Sequence, residues 1–186
     1  MTGGRRIIRC WQVVALGTVL HTLPHRFGYR CMEKMPRQTA NGILMINRIK
    51  SLIKRKTSCV LATTDGHTAH CSLMAYIVSE DSDRLYLVTP RNTKKYENIK
   101  HHPGVSLLID TRGEQSRSQT EALTVSGTCH ILTNTEEISK VKAAFKRQHP
   151  HLENLIGKDR IAFLYVAFES FLFLDGPEKA YHEKLE

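Results

Sequence analysis

No stretch of the 186 residues approaches the roughly 20 consecutive apolar positions that a helix needs to span a bilayer, so a polytopic membrane protein is excluded. The five cysteines, Cys10, Cys31, Cys59, Cys71 and Cys129, are odd in number and contain no Cys-x-x-Cys pair. That argues against both a disulfide framework and a zinc cage. Cys59, Cys71 and Cys129 lie in apolar, strand-like sequence and read as reduced structural thiols in a reducing, cytoplasmic compartment. No Ser-His-Asp or Cys-His set appears, and no metal-spaced cluster. His101-His102 and His149-x-His151 stand beside Pro103 and Pro150 and read as solvated helix ends rather than ligands.

Acid is scarce in one place only. The net charge is +9, but residues 1–56 hold 12 of the 27 Lys+Arg and a single acid, Glu33, so that stretch carries +11. The other 130 residues hold 15 bases and 17 acids, or −2. A nucleic-acid-binding domain interleaves Lys and Arg with aromatics on its folded face, and this body does not, so no specific nucleic-acid partner is expected. Residues 1–38 form a basic arm in which Arg5, Arg6 and Arg9 precede an apolar run, Trp11 to Leu20. The run resembles part of an export signal but has no small-x-small site after it. A peripheral or disordered arm, and leader sequence ahead of a start at Met32 or Met35, remain alternatives.

What is present from residue 39 to 180 is one domain, followed by a short tail at 181–186. Apolar spacings of three and four over Asn41–Lys54 predict an amphipathic helix. Strands are expected over 58–64, 69–78, 84–89, 105–110, 122–132 and 161–174, with Asp65-Gly66 and Asp81-Ser82-Asp83 as turns. Gly127 inside the fifth strand predicts a bulge. Thr133 and Glu136 have capping-box spacing and predict a helix start, and Thr111–Thr120 reads as a mobile loop. Phe168, Phe171 and Phe173 exceed what one barrel interior needs, which points to a second copy covering the surplus. The class is mainly β, a six-stranded antiparallel barrel, split or closed, with flanking helices.

One segment breaks a local rule. Thr89-Pro90-Arg91-Asn92-Thr93-Lys94-Lys95 ends a strand and opens a helix, yet puts two lysines in the first turn, where the helix dipole disfavours cations by about 0.3–1 kcal/mol each. A phosphate satisfies free first-turn N–H groups and lysines together. Equally, Glu97 one turn later balances them as a plain basic turn.

The runs Leu85-Tyr86-Leu87-Val88-Thr89, Thr93-Lys94-Lys95, Asn98-Ile99 and Pro103-Gly104-Val105-Ser106-Leu107, with His70-Cys71-Ser72-Leu73-Met74 upstream and Glu121-Ala122-Leu123-Thr124-Val125-Ser126-Gly127 downstream, resemble pyridoxamine 5′-phosphate oxidase-like FMN-binding split barrels. The resemblance covers about residues 42–175. It implies FMN, with the phosphate on Thr93, Lys94 and Lys95. Val88 and Thr89 then meet phosphate and ribityl, His70, Cys71, Ser72 and Leu73 face the flavin ring, and Gln119 stands where the family places a glutamine from the neighbouring subunit. It also implies a homodimer with flavin at the subunit interface and a small-molecule redox substrate. The family's arginine-rich substrate segment has no counterpart in Asp175–His182, so the family name does not carry over as the activity. The leading function is an FMN-dependent oxidoreductase. The alternatives are a non-catalytic flavin- or haem-binding storage or sensor protein, and a deazaflavin-dependent reductase.

Overall fold

Burial alternates along Ser58–Thr64 (β1): Cys59, Leu61 and Thr63 are buried, while Val60 and Ala62 turn outward. The same period of two runs through Gly104–Asp110 (β4), Glu121–Ile131 (β5) and the lower half of Ile161–Asp175 (β6), and through the first parts of Ala69–Val78 (β2) and Arg84–Pro90 (β3), which are buried on both faces toward their ends. The computed structural model describes residues 40–114 and 120–185. The basic arm, Cys10, Cys31 and Gln119 lie outside the described residues.

Every strand pairs antiparallel with its neighbours, in the order β3-β2-β1-β4-β5-β6, and β3 then pairs with β6 to close a six-stranded barrel. A seventh strand, Lys179–Lys184 (β7), adds to the free edge of β6, so the chain expected to end as a tail continues the sheet. The register slips between Ser126 and Gly127, and a Cβ at Gly127 would stand 2.1 Å from the Ala167 carbonyl oxygen. The predicted bulge is there because the backbones touch.

Ala40–Arg55 (α1) lays Ile49, Leu52 and Ile53 into the barrel core with Leu61, Tyr76, Leu107 and Phe173. The Tyr76 hydroxyl donates to the Ile53 carbonyl at 2.8 Å. Arg48 clamps the same helix to the strand ends, donating to Asp175 at 2.9 and 3.0 Å and to Glu121 at 2.7 Å. Thr135–Gln148 (α3) covers the outside of the barrel, where Val141 and Phe145 pack on Ile77, Val88 and Phe163. A 3-10 turn, Pro150–Leu152, and the short helix Glu153–Ile156 (α4) return the chain to β6.

Four expectations are corrected. The α3 cap is Asn134, whose side chain accepts from Glu137 N at 3.0 Å, so the Thr133–Glu136 box does not form. Thr111, expected at the start of a mobile loop, is buried and exchanges hydrogen bonds with Glu121. His149 is not solvated: it is 3% exposed and its Nε2 lies 2.9 Å from the Tyr76 carbonyl oxygen. Phe171 and Phe173 are both inside the core of one chain with Phe168 packed against them. The large apolar residues of β6 left exposed are Leu172 and Leu174.

Candidate functional site

The barrel wall opens between β2 and β3. Only Tyr76–Val78 of β2 pairs with β3, against Leu85–Leu87. Beyond those three pairs, β2 stays with β1 along Ala69–Ala75 and β3 stays with β6 through Pro90. A wedge therefore separates the first part of β2 from Val88–Pro90, and the helix Lys94–His101 (α2) begins just past the end of β3.

Local chemistry at that helix start is unusual. Thr93 holds the N-cap position with φ −111° and ψ 149°, but its side chain caps nothing. Its hydroxyl donates instead to the Pro90 carbonyl at 2.9 Å and lies 3.1 Å from the hydroxyl of Thr89, which is wholly buried. The Tyr96 and Glu97 N–H groups return to the Thr93 carbonyl. Among the described residues no acceptor serves the first-turn N–H groups of Lys94 and Lys95, so they are available to an anion.

The two lysines differ. Lys94 Nζ is 3.5 Å from Asp65 Oδ2, with both side chains about half exposed. Lys95 is half-buried and has no ion pair or hydrogen bond among the described residues, and burial lowers its pKa. Glu97 does not balance either one. It pairs with Lys100 at 3.1 Å. Asn98 anchors α2 by donating to the buried Thr63 hydroxyl at 3.1 Å, and Thr63 in turn reaches the His70 carbonyl at 3.4 Å.

On β2, His70 and Ser72 share the inner side with Met74 and Tyr76, half-buried toward the barrel end. Cys71 and Leu73 turn outward. Leu73 is 79% exposed, and the Cys71 thiol is exposed, unlike Cys59 and Cys129, whose burial pushes their pKa values up to about 12. Val88 buries its side chain under α3, so only its backbone edge is available to the wedge. The structure thus gathers Thr89, Thr93, Lys94 and Lys95 at one helix start, sets His70 to Leu73 on the strand bordering the wedge, and turns the Val88 side chain away.

Sequence reading missed Asp65 as a site residue. Asp-Gly announced a turn, and nothing in the sequence announced that this turn would reach α2. Asp65 Oδ1 accepts from Thr68 N at 2.7 Å and His67 N at 3.0 Å. Those N–H groups, Thr68 first, hold its carboxyl at about 2, and Lys94 adds to the effect.

These residues fit a phosphate-tailed planar cofactor. Uncapped N–H groups and a lysine with no acidic partner among the described residues suit the phosphate, while an exposed leucine beside an open sheet edge suits an apolar ring. Among the described residues no group of three or more His, Cys, Asp or Glu is placed to hold a metal.

The fold and its wedge define a split-barrel protein. Residues 45–174 match the family model described as Pyridoxamine 5′-phosphate oxidase, and the chain belongs to that family. Among solved structures, General Stress Protein 26 from Bacillus anthracis is 19% identical with a TM-score of 0.60, the match covering 76% of this chain and 98% of that one. A FAD-binding protein from Mesorhizobium loti is 15% identical, TM-score 0.59, covering 72% and 94%. A heme binding protein from Mycobacterium smegmatis is 14% identical, TM-score 0.63, covering 73% of this chain and 56% of that longer one. No curated protein sequence matches the chain. At these identities the structural likeness speaks to fold.

Proposed function

We propose that this chain is an FMN-dependent oxidoreductase that works as a homodimer on a small-molecule redox substrate. The observation that carries the reading is Lys95, a half-buried cation without an acidic partner among the described residues, beside uncapped N–H groups at the edge of the β2–β3 wedge. When bound, FMN supplies hydride or electron transfer. The chain supplies binding and orientation. Lys94, Lys95 and Thr93 take the phosphate, Thr89 and the backbone of Val88 meet the ribityl chain, and His70, Cys71, Ser72 and Leu73 border the ring. Gln119 is the residue assigned to the flavin across the subunit interface.

The dimer reading rests on an outward row set by strand register: Leu73, Val60, Leu108, Thr124 and Leu172 stand opposite one another across five strands. The unpaired thiols of Cys59, Cys71 and Cys129 support a reducing, cytoplasmic setting. Purified full-length chain is expected to be yellow and to release FMN, identified by mass. Reduction and reoxidation with turnover then separates an enzyme from a storage protein. A colourless protein that does not bind added FMN overturns the reading. A haem-holding role is the second reading, favoured by the likeness to the mycobacterial heme binding protein, and a haem spectrum in place of a flavin spectrum would establish it.

A further inference from the structure

The lysine pair is not equally open to an anion, because a carboxylate of this same chain already stands beside one of them. We propose that Asp65 is an internal competitor for the anion site: its carboxylate engages Lys94 when the site is empty, must yield Lys94 to the ligand phosphate, and so sets how tightly and how reversibly the phosphate is held. The inference rests on the phosphate reading given above.

The geometry makes Asp65 a fixed charge rather than a wandering one. Oδ1 is tied into the β1–β2 turn by two backbone N–H groups, which leaves Oδ2 directed at Lys94 Nζ, 3.5 Å away. The turn is itself pinned. Gly66 has φ +93°, and a Cβ there would stand 3.3 Å from the His102 ring just past the end of α2. Thr63, two residues before Asp65, accepts from Asn98 in the middle of α2. The Asn98–Thr63 hydrogen bond therefore ties β1 just before the turn to α2, and the His102 ring leaves little room for a side chain at Gly66. Among the described residues Asp65 is the one acid paired with either lysine, since Glu97 is paired with Lys100.

A phosphate at the helix start meets Lys95 without opposition but meets Lys94 only in competition with Asp65, and it also feels the carboxylate directly. Both effects act on the charged tail of the ligand and leave an uncharged analogue untouched, so Asp65 tunes discrimination by phosphate charge. Because the carboxylate is about half exposed, screening keeps the effect modest and dependent on salt.

The test is equilibrium titration of the full chain with FMN and with riboflavin, comparing the natural protein with Asp65→Asn. Asparagine keeps the turn acceptor and loses the charge. FMN affinity is expected to rise about five- to tenfold, while riboflavin affinity stays within about twofold. The gain should shrink as salt is raised, and with Lys94→Gln also present it should fall to the smaller part that comes from direct carboxylate–phosphate repulsion. Asp65→Ser, which retains a turn acceptor on a shorter side chain, serves if the asparagine variant folds poorly. If FMN affinity is unchanged or weaker in Asp65→Asn while the natural protein prefers FMN to riboflavin, Asp65 only positions the turn and this inference fails alone. If the natural protein shows no preference for FMN over riboflavin, the phosphate reading fails and the inference falls with it.

Discussion

A lysine with a partner and a lysine without one among the described residues sit side by side at the start of α2, and their contrast gives the residue-scale prediction. Replacing Lys94 and Lys95 together with Ala is expected to leave the empty protein as stable as before. The one ion pair lost is half exposed, and such pairs contribute little. FMN affinity should fall by two or more orders of magnitude, because two charge-assisted contacts of about 1.5–3 kcal/mol each are removed. Riboflavin binding should barely move, and titration with both ligands checks this. Gly127 gives a second residue-scale prediction: Gly127→Ala puts a methyl 2.1 Å from the Ala167 carbonyl oxygen, so a strand must shift, at a cost of about 1–3 kcal/mol read as a lower denaturation midpoint. Both positions were legible in the sequence, the lysines because they violate the helix dipole and the glycine because it interrupts an apolar strand. The pairing of Asp65 with Lys94 was not legible, since the two are 29 positions apart and no local pattern encodes that distance. Val88 was assigned to the phosphate and ribityl chain through the family resemblance, and the structure puts its side chain in the layer under α3, leaving its backbone for such a contact.

At the scale of elements, all six barrel strands and both long helices follow from period and punctuation. What the pattern could not supply is which strands part company. β2 and β3 are consecutive and joined by a tight turn, so sequence suggests a full hairpin, yet they share three residue pairs, because β2 follows β1 and β3 follows β6. The seventh strand escaped notice because Lys-Ala-Tyr-His-Glu-Lys has no apolar–polar alternation in sequence, although in the fold Tyr181 and Glu183 are half-buried between exposed neighbours. The clamp between α1 and the ends of β5 and β6 is likewise a long-range product, and it yields a prediction about acid. The hydrogen bond from Arg48 lowers the Asp175 pKa, so the stability it contributes is fully present above about pH 4, the ordinary carboxylate range, and is lost as pH falls through the lowered value. Arg48→Met is therefore expected to be less stable than the natural protein at neutral pH and to approach it as pH falls below the ordinary carboxylate range. Thermal unfolding followed across that range checks the sign.

For the whole molecule, the outward row from Leu73 to Leu172 is a stripe over a sheet face, apolar except at Thr124, and Leu73 is 79% exposed in the single chain. With the three phenylalanines of β6 packed in or against the core of one chain, this row carries the case for a second copy. Leu73→Asp combined with Leu172→Asp should convert a dimer mass to a monomer mass by light scattering while changing monomer stability by only about 0.5 kcal/mol. A monomer mass for the natural chain would contradict the stripe as an interface. The closure of the barrel has a further consequence, which concerns the order in which the protein can come into being. Arg84 must find Ala167 and Pro90 must find Ile161, so a chain emerging from its N-terminal end can lay down β1 through β5 and still have no ring. Until β6 arrives, the β3 edge has no partner along Arg84–Pro90 and the inner faces of five strands stay wet, a state that invites edge-to-edge association. Strand β6 then pairs with β5 and β3 and offers its remaining edge to β7, so closure comes as one late, cooperative event set by the slow search for distant partners.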